Sequence, residues 1–530
     1  MPVSTFYLLF FVRYFYPMNT GIYRHIDNLV TYALARNLLP GEEAIYATNL
    51  LLDQLHLDSY DGLFFRDPEI RRLSIEDPGQ TLEQILGNLV SYAVSNGVVE
   101  DILPLKDVFD AKLMNTLTPR PKTVIDRFWA DYKQSPEKAT LEYFEFSQDT
   151  DYIRRYRLSQ DLYWEGRTKY GDLQILISLS KPELDPKAIA AAGKAKATGY
   201  PKCALCMENE GYAGRVDFAS RSNHRIIPLK LCSEDFSLQF SPYRYCNQHC
   251  IVLNHRHIPM IINESALDKL LQFVEMFPHY FLGSNADLPY VGGSVLSHEH
   301  FQGGVHRLPI MDAKVMKTYI SRPELEVSTL FWPLSTIRVK GKDRREVLAQ
   351  ASRILRAWRD GYADPDSGID PGSADDQHNT VTPLACREGS DFVLFLMLRN
   401  NKRTDERPVG MFHTHQDRFH IKKEGIGIID APGLAILPSR LKKELAAVKE
   451  VLLGKESMAD HPEISKHSDW MTHLIEKHKT FHADTADAIL RDEVVQVFML
   501  MLEDCGVFKH TPSGEESFDR FVRFALGDNT

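Results

Sequence analysis

The sequence predicts an α+β chain: two sheet-and-helix units in the middle, flanked by helical segments at both ends. Three observations carry this. Apolar residues recur at helical spacing before about residue 165 and after 439, whereas alternation and short apolar runs fill the middle. Within that middle, the order strands, helix, strand, histidine cluster occurs twice. At 530 residues, the chain is also too long for one ordinary core. The resulting boundaries are a start-site extension over 1–17, a helical region over 18–165, a first unit over 166–310, a second over 311–438 and a C-terminal helical region over 439–530.

Taken in order, Phe6 to Tyr16 is apolar and aromatic but is interrupted by Arg13. It falls well short of the roughly 20 residues that span a bilayer, and no small-residue cleavage site follows it. Helical faces then follow at Ile22, Ile26, Leu29, Val30 and Ala33, and at Leu82, Ile85, Leu86, Leu89, Val90 and Ala93. Asn96-Gly97 stops the second helix, and Val124 to Tyr132 forms another. Strand character begins near Tyr170, with Leu173, Ile175, Ile177 and Leu179 alternating with polar neighbours. Lys187 to Lys196 reads as a short helix, Cys250 to Leu253 as a buried strand, and Leu267 to Phe277 as a helix ended by Pro278.

The second unit repeats the order. Leu325 to Trp332 and Ser335 to Lys340 read as paired strands, and Val347 to Trp358 as a helix. Phe392 to Leu398 is a buried strand, and His413, His415 and His420 gather ahead of strands expected at Ile426 to Ile429 and Leu434 to Leu437. Asp364 to Gln377 has loop composition. From Ser439 the pattern returns to helix.

Bulk composition excludes some partners. A net charge of −10 argues against a nucleic-acid coat or a basic membrane patch. Apolar residues at 43% and charged residues at 25% fit a globular chain. Seven cysteines in so long a chain suggest a reducing cytoplasm rather than a disulfide framework.

The chemistry concentrates between Gly292 and Arg307, in GGSVLSHEHFQGGVHR. On an extended backbone His298, His300 and Gln302 share one side. Gly292, Gly293, Gly303 and Gly304 allow backbone N–H groups to approach an anion. An unprotonated, accessible imidazole at His300 can attack phosphorus and hold the transferred group, provided a backbone carbonyl fixes its tautomer. Gln302 can donate to a phosphate oxygen without carrying an acidic proton. Arg215, Arg221, Arg225, Arg399, Lys422 and Lys423 are the candidate phosphate cations.

Cys203 and Cys206 form a C-x-x-C pair suited to one tetrahedral metal. His257 and His298 are the best-placed further ligands by type, which makes a structural zinc the expected cofactor. Cys246, His249 and Cys250 form a competing cluster, but Cys250 opens an apolar strand and is expected to pack inward. His413, His415 and His420 are expected to hold a second metal, contact a sugar or serve structure.

Five stretches match a known family. They are GYPKCALCMENEGYAGR from Gly199, SNHRIIPLKL from Ser222, FSPYRYCNQHCIVLNHRHIPM from Phe240, FPHYFLGSNADLPYVGGSVLSHEHFQGG from Phe277 and FHIKKEGIGIIDAPGLAILPSRL from Phe419. From about Met18 onward the chain resembles the class II, bacterial-type galactose-1-phosphate uridylyltransferases of the histidine-triad superfamily. The resemblance implies two histidine-triad-like antiparallel units. It implies His300 as nucleophile, Gln302 as phosphate ligand and His298 as metal ligand or support, with zinc on Cys203, Cys206, His257 and His298. Asn285, Gly292, Gly293 and Ser294 join Arg215, Arg225, Arg399 and Lys422 as candidate substrate contacts.

Glu299 and Phe301 depart from the H-P-H-G-Q of class I enzymes. The implied reaction moves UMP from UDP-glucose to galactose 1-phosphate through a covalent uridylyl-histidine, in a cytoplasmic homodimer. The competing readings are a histidine-triad nucleotide phosphorylase or hydrolase, and a zinc-stabilised binding protein with a degenerate site.

Overall fold

In a computed structural model, residues 21–62, 80–179, 198–293, 295–373 and 375–527 are described. The expected extension over 1–17, the short helix over Lys187 to Lys196 and Ser294 lie outside these residues. The chain divides into two compact units.

Among the described residues, the first unit, within residues 1–156 and 182–227, is built of helices and turns up to residue 149. Helices α1 (Ile22–Ala35), α2 (Ala44–Gln54), α3 (Leu82–Ser95), α4 (Leu103–Asn115), α5 (Pro121–Tyr132) and α6 (Pro136–Asp149) succeed one another. The predicted apolar faces are the buried ones: Ile26, Leu29, Val30 and Ala33 on α1, and Ile85, Leu86, Leu89 and Ala93 on α3. Thr81 and Gln84 cap α3 reciprocally, satisfying two backbone donors that a helix start leaves open. Proline at the first turn of α4, α5 and α6 removes a donor that would go unused there.

The second unit, residues 157–181 and 228–530, holds two sheets. Strands β1 (Leu162–Thr168) and β2 (Gly171–Ile177) begin the smaller one. The larger one starts with β3 (Ile227–Leu231), β4 (Glu234–Phe240) and β5 (Cys250–Asn254), followed by helix α7 (Glu264–Met276), β6 (Phe281–Gly283) and β7 (His300–Gly304). It continues with β8 (Val315–Arg322), β9 (Leu325–Leu330) and β10 (Thr336–Gly341), helix α8 (Arg344–Arg359), β11 (Asn379–Glu388) and β12 (Asp391–Asn400). Strand β13 (Leu434–Leu437) returns to pair with β2 in the smaller sheet. Helices α9 (Leu441–Leu452), α10 (Ser468–His478), α11 (Ala486–Cys505) and α12 (Pro512–Leu526) close the chain.

The larger sheet has ten strands in the order β3-β4-β5-β7-β6-β11-β12-β10-β9-β8. Read inward from either edge, this is the same motif. Three strands in sequence are followed by a helix, and the next two strands then enter in swapped order. The copies meet where β6 pairs antiparallel with β11, Leu282 opposite Ala385 and Gly283 opposite Leu384. The twofold order expected from the sequence is therefore present within a single antiparallel sheet.

The second copy lacks the chemistry of the first. Its last strand, β12, reads DFVLFLMLRN and carries no histidine, and Phe392 to Leu398 are buried. His413 and His415 lie in the turns beyond it, ahead of a 3₁₀ turn at Gln416–Arg418. The stretch Ile426 to Ile429, expected as a strand, is a loop. Gly425 and Gly427 bracket Ile426, and Ala431 donates back to the Gly427 carbonyl, closing a turn that a strand could not contain. Leu162–Thr168 and Asn379–Glu388 are strands that the alternation did not flag. The second is buried along most of its length, so it shows no in-out period.

Among the described residues, no helix is long and apolar enough to cross a membrane. The core of the second unit runs beneath the smaller sheet, where Leu173, Ile175, Trp332, Phe395, Met397, Leu434 and Phe498 pack together.

Candidate functional site

Strand β7 lies second from the repeat seam and fourth from the sheet edge formed by β3. It pairs with β5, placing Leu253 opposite His300 and Ile251 opposite Gln302. On its other edge Gly283 of β6 lies opposite Gln302. The strand starts at His300, so His298 sits in the bend before it. The alternation expected of the row therefore holds for His300 and Gln302, while His298 is placed by its own hydrogen bond.

His300 is buried, with 3% of its surface exposed. The sequence predicts an accessible side chain here; the fold encloses it instead. Its Nδ1 lies 2.8 Å from the His298 carbonyl oxygen. A carbonyl only accepts, so Nδ1 carries the ring proton and Nε2 presents a lone pair. Burial, aided by the neighbouring His298 ring, lowers the imidazole pKa to about 4, so the ring is neutral and nucleophilic at neutral pH. The carbonyl that fixes this tautomer comes from within the row itself.

His298 is fully buried. Its Nε2 donates to the Asn254 carbonyl at 2.8 Å, which leaves the Nδ1 lone pair as its ligating atom. Cys203, Cys206, His257 and His298 form a cluster fit to hold a metal ion, one ligand atom from each lying within 4.8 Å of the others. The donor set suits a tetrahedral cation, whose ligand bonds of roughly 2.0 to 2.3 Å require such spacing. The Cys203 and Cys206 sulfurs are 3.5 Å apart. Burial, together with the hydrogen bond to Cys203, pushes the Cys206 thiol up to about 11. A metal held by both sulfurs would displace both thiol protons.

Between the two histidines, Glu299 turns to the opposite face. Its Oε1 receives Lys269 Nζ of α7 at 2.8 Å, and its Oε2 receives Asn254 Nδ2 at 2.6 Å. Asn254 also donates its backbone N–H to the Glu299 carbonyl. One asparagine thus grips both Glu299 and His298, tying β5 to the row from both faces. The sequence alone singles out neither Asn254 nor Lys269, because their meaning lies in partners 45 and 30 residues away.

The glycines serve packing. Gly292 has φ of +98°, and a Cβ there would meet the Ile426 carbonyl at 2.2 Å; at Gly303 it would meet the Phe281 carbonyl at 2.2 Å. Loop 425–428 therefore packs directly against Gly292. Asn285 Oδ1 accepts from the Ile428 N–H at 2.9 Å, and Arg399 Nη1 donates to the Ile426 carbonyl at 2.9 Å. Asn285, Gly292 and Arg399 come together around this loop, with Gly293 beside them.

The cations divide by partner. Lys422 is buried against Asp430 at 2.6 Å and the Ile436 carbonyl at 2.8 Å. Arg399 is buried, reaches Thr382 at 3.3 Å, and is lowered from the usual arginine range by burial. In the first unit, Arg225 donates to the Pro119, Ser222 and His224 carbonyls. Arg215 pairs with Asp217 at 2.6 Å and Tyr212 at 2.8 Å. Arg225, Arg399 and Lys422 thus spend donors on internal carbonyl, hydroxyl or carboxylate oxygens.

The remaining histidines do not gather. His413 donates to the Thr414 carbonyl, His415 lies near Asp504, and His420 Nδ1 is 2.8 Å from His467 Nδ1. Cys246 and Cys250 are buried thiols, Cys250 opening β5 as expected. His249 turns away from both, toward Gln302 at 3.3 Å. Sequence reading had grouped it with the thiols.

Comparison with known proteins covers most of the chain. Residues 68–259 match the family model described as galactose-1-phosphate uridyl transferase, N-terminal domain, and residues 273–472 match its C-terminal domain. A galactose-1-phosphate uridylyltransferase of Halalkalibacterium halodurans is 44% identical over 504 residues, 94% of this chain and 97% of that protein. One from Clostridium acetobutylicum is 41% identical, covering 94% and 99%. One from Bacillus subtilis is 40% identical, covering 95% and 97%.

Proposed function

The chain belongs to the galactose-1-phosphate uridylyltransferase family, and from that premise we propose how its own residues carry the reaction. It is an enzyme that transfers the uridylyl group of UDP-glucose to galactose 1-phosphate. In our reading, His300 Nε2 attacks the α-phosphorus of UDP-glucose. A P–N bond forms, the P–O bond to the β-phosphate breaks, and glucose 1-phosphate leaves with the electron pair. A phosphate oxygen of galactose 1-phosphate then displaces His300, giving UDP-galactose. The leaving group in each step is a phosphate or a neutral imidazole, so no proton needs to be supplied.

The observation that carries this reading is the Nδ1–H of His300 on the His298 carbonyl. It leaves Nε2 as the attacking atom. Once Nε2 is substituted the ring becomes cationic, and the same carbonyl steadies that charge. Gln302 provides an N–H for a nonbridging oxygen of the transferred phosphate, as charge builds there. Asn285, Gly292, Gly293, Ser294, Arg215, Arg225, Arg399 and Lys422 are proposed to contact substrate or to shape the loops that do.

The metal is proposed to be zinc, held by Cys203, Cys206, His257 and His298, which match its preference for thiolate and imidazole. Bound there, zinc supplies a structural crosslink, and it fixes His298 two residues before the nucleophile. A cytoplasmic homodimer completes the reading.

Exchange of labelled glucose 1-phosphate into UDP-glucose, with no acceptor sugar present, tests the covalent step. Exchange is expected. Its absence in protein that binds UDP would overturn the route through His300.

A further inference from the structure

Gln302 faces an unusual partner. Its Oε1 stands 3.3 Å from His249 Nε2, and His249 Nδ1 stands 2.8 Å from the Tyr243 carbonyl oxygen. The carbonyl can only accept, so Nδ1 carries the proton and the Nε2 of a neutral ring is a lone pair. Two acceptors do not bond.

Either His249 holds a second proton, or the Gln302 amide is turned end for end. The two ends of an amide have the same shape, and their hydrogen-bond partners decide which is which. His249 is buried, with 3% of its surface exposed, and stacks on Tyr245 with ring centroids 4.7 Å apart. No carboxylate bonds it among the described residues, and burial holds its pKa below the usual histidine range. The turned amide is the arrangement that leaves every donor with an acceptor.

We propose that His249 is a positioning residue for uridylyl transfer: its Nε2 lone pair holds the NH₂ end of Gln302 and so sets which end of the amide meets the nucleotide phosphate. One N–H of Gln302 is committed to His249, and the other remains for a nonbridging phosphate oxygen. The Tyr243 carbonyl sets the His249 tautomer, as the His298 carbonyl sets that of His300. Two histidines of matched tautomer would then serve the transfer, one on the reacting strand attacking phosphorus and one beside it holding the amide that meets the developing charge. Without His249, the amide could present its oxygen to the phosphate, opposing the developing charge.

The inference rests on the transfer reading above, and a double-mutant cycle tests it. His249→Phe keeps a stacking ring but removes the lone pair. It is expected to lower kcat with little change in the KM for UDP-glucose, and the double variant with Gln302→Ala should be no slower than Gln302→Ala alone. His249→Gln, which can still accept through its carbonyl, should recover part of the rate. Losses that multiply in the double variant would overturn the proposal. If His249→Phe does not fold, ¹⁵N shifts of histidine-labelled wild-type protein decide the matter, with Gln302→Ala identifying the His249 signals. An unprotonated Nε2 is expected, and a protonated one would overturn the proposal. That measurement needs no turnover, so it separates a failure here from a failure of the exchange assay.

Discussion

Lys269 and Glu299 form a buried ion pair directly behind the histidine row, Nζ to Oε1 at 2.8 Å, with side chains 4% and 8% exposed. Lys269 also reaches Glu234 at 2.9 Å, and this pair of carboxylates raises its pKa against the opposing effect of burial. Buried charges of this kind matter most when one partner is removed. Lys269→Met should strand Glu299 and cost about 3–5 kcal/mol, read as a large drop in Tm. A change within about 0.5 kcal/mol would mean that Glu299 is neutral or finds another donor.

His300→Ala should end transfer, with no labelled uridylyl group retained on the protein after mixing with UDP-glucose. Because the ring is enclosed, the substitution also leaves a cavity, and a modest loss of Tm should accompany it. Retention of label by His300→Ala but not by His298→Ala would move the nucleophile two residues upstream.

Gln302→Ala should slow both half-reactions by roughly 10²-fold, the scale for losing one preorganised donor to a developing charge. Rapid-quench measurement with each sugar phosphate separates the two steps. A loss confined to one of them would place Gln302 on the sugar side instead.

Cys203→Ser should lower metal content and Tm together, with loss of activity following from loosened His298. Elemental analysis of protein purified without chelator is the direct check. Less than about 0.2 zinc per chain in stable, active material would reduce the four residues to structural neighbours.

His420 provides a pH test. Burial, with the adjacent His467 and then Arg440, lowers its pKa to about 3, against weaker opposing effects from Asp417 and Glu444. The folded state therefore binds fewer protons than the unfolded one between the two pKa values. The stability this neutral ring contributes is fully present above about pH 6.5 and is lost as pH falls toward the folded value. Tm should decline over that window, and more shallowly in His420→Asn than in wild type. Parallel declines would assign the acid sensitivity to carboxylates.

How much could be read in advance depended on sequence distance. The row at His298, His300 and Gln302 and the C-x-x-C pair are local spellings, so the sequence shows them directly. The Asn254 clasp, the Lys269 counter-charge and the His249 lone pair join residues 30 to 53 positions apart, and only the folded sheet brings them together. Gly292 was legible as a special position but not for its reason, because the carbonyl that excludes a side chain belongs to Ile426. Ile426 to Ile429 misled because an apolar spacing fits a loop packed on the core as well as a strand.

The seam where β6 meets β11 has a consequence for how this sequence can change over time. Of two copies of one motif, one carries the histidine row while the other carries a wall of Val, Leu, Phe and Met on β12. Selection then acts on the two by different rules. The β12 wall should accept exchanges among apolar residues of similar volume, whereas equally conservative changes on β7 should fail at His300 and Gln302. A library randomised at matched positions of the two strands would return a diverse set from one and near-uniform survivors from the other. The different burdens on the two strands would then be visible as tolerance, although they hold equivalent places in the sheet.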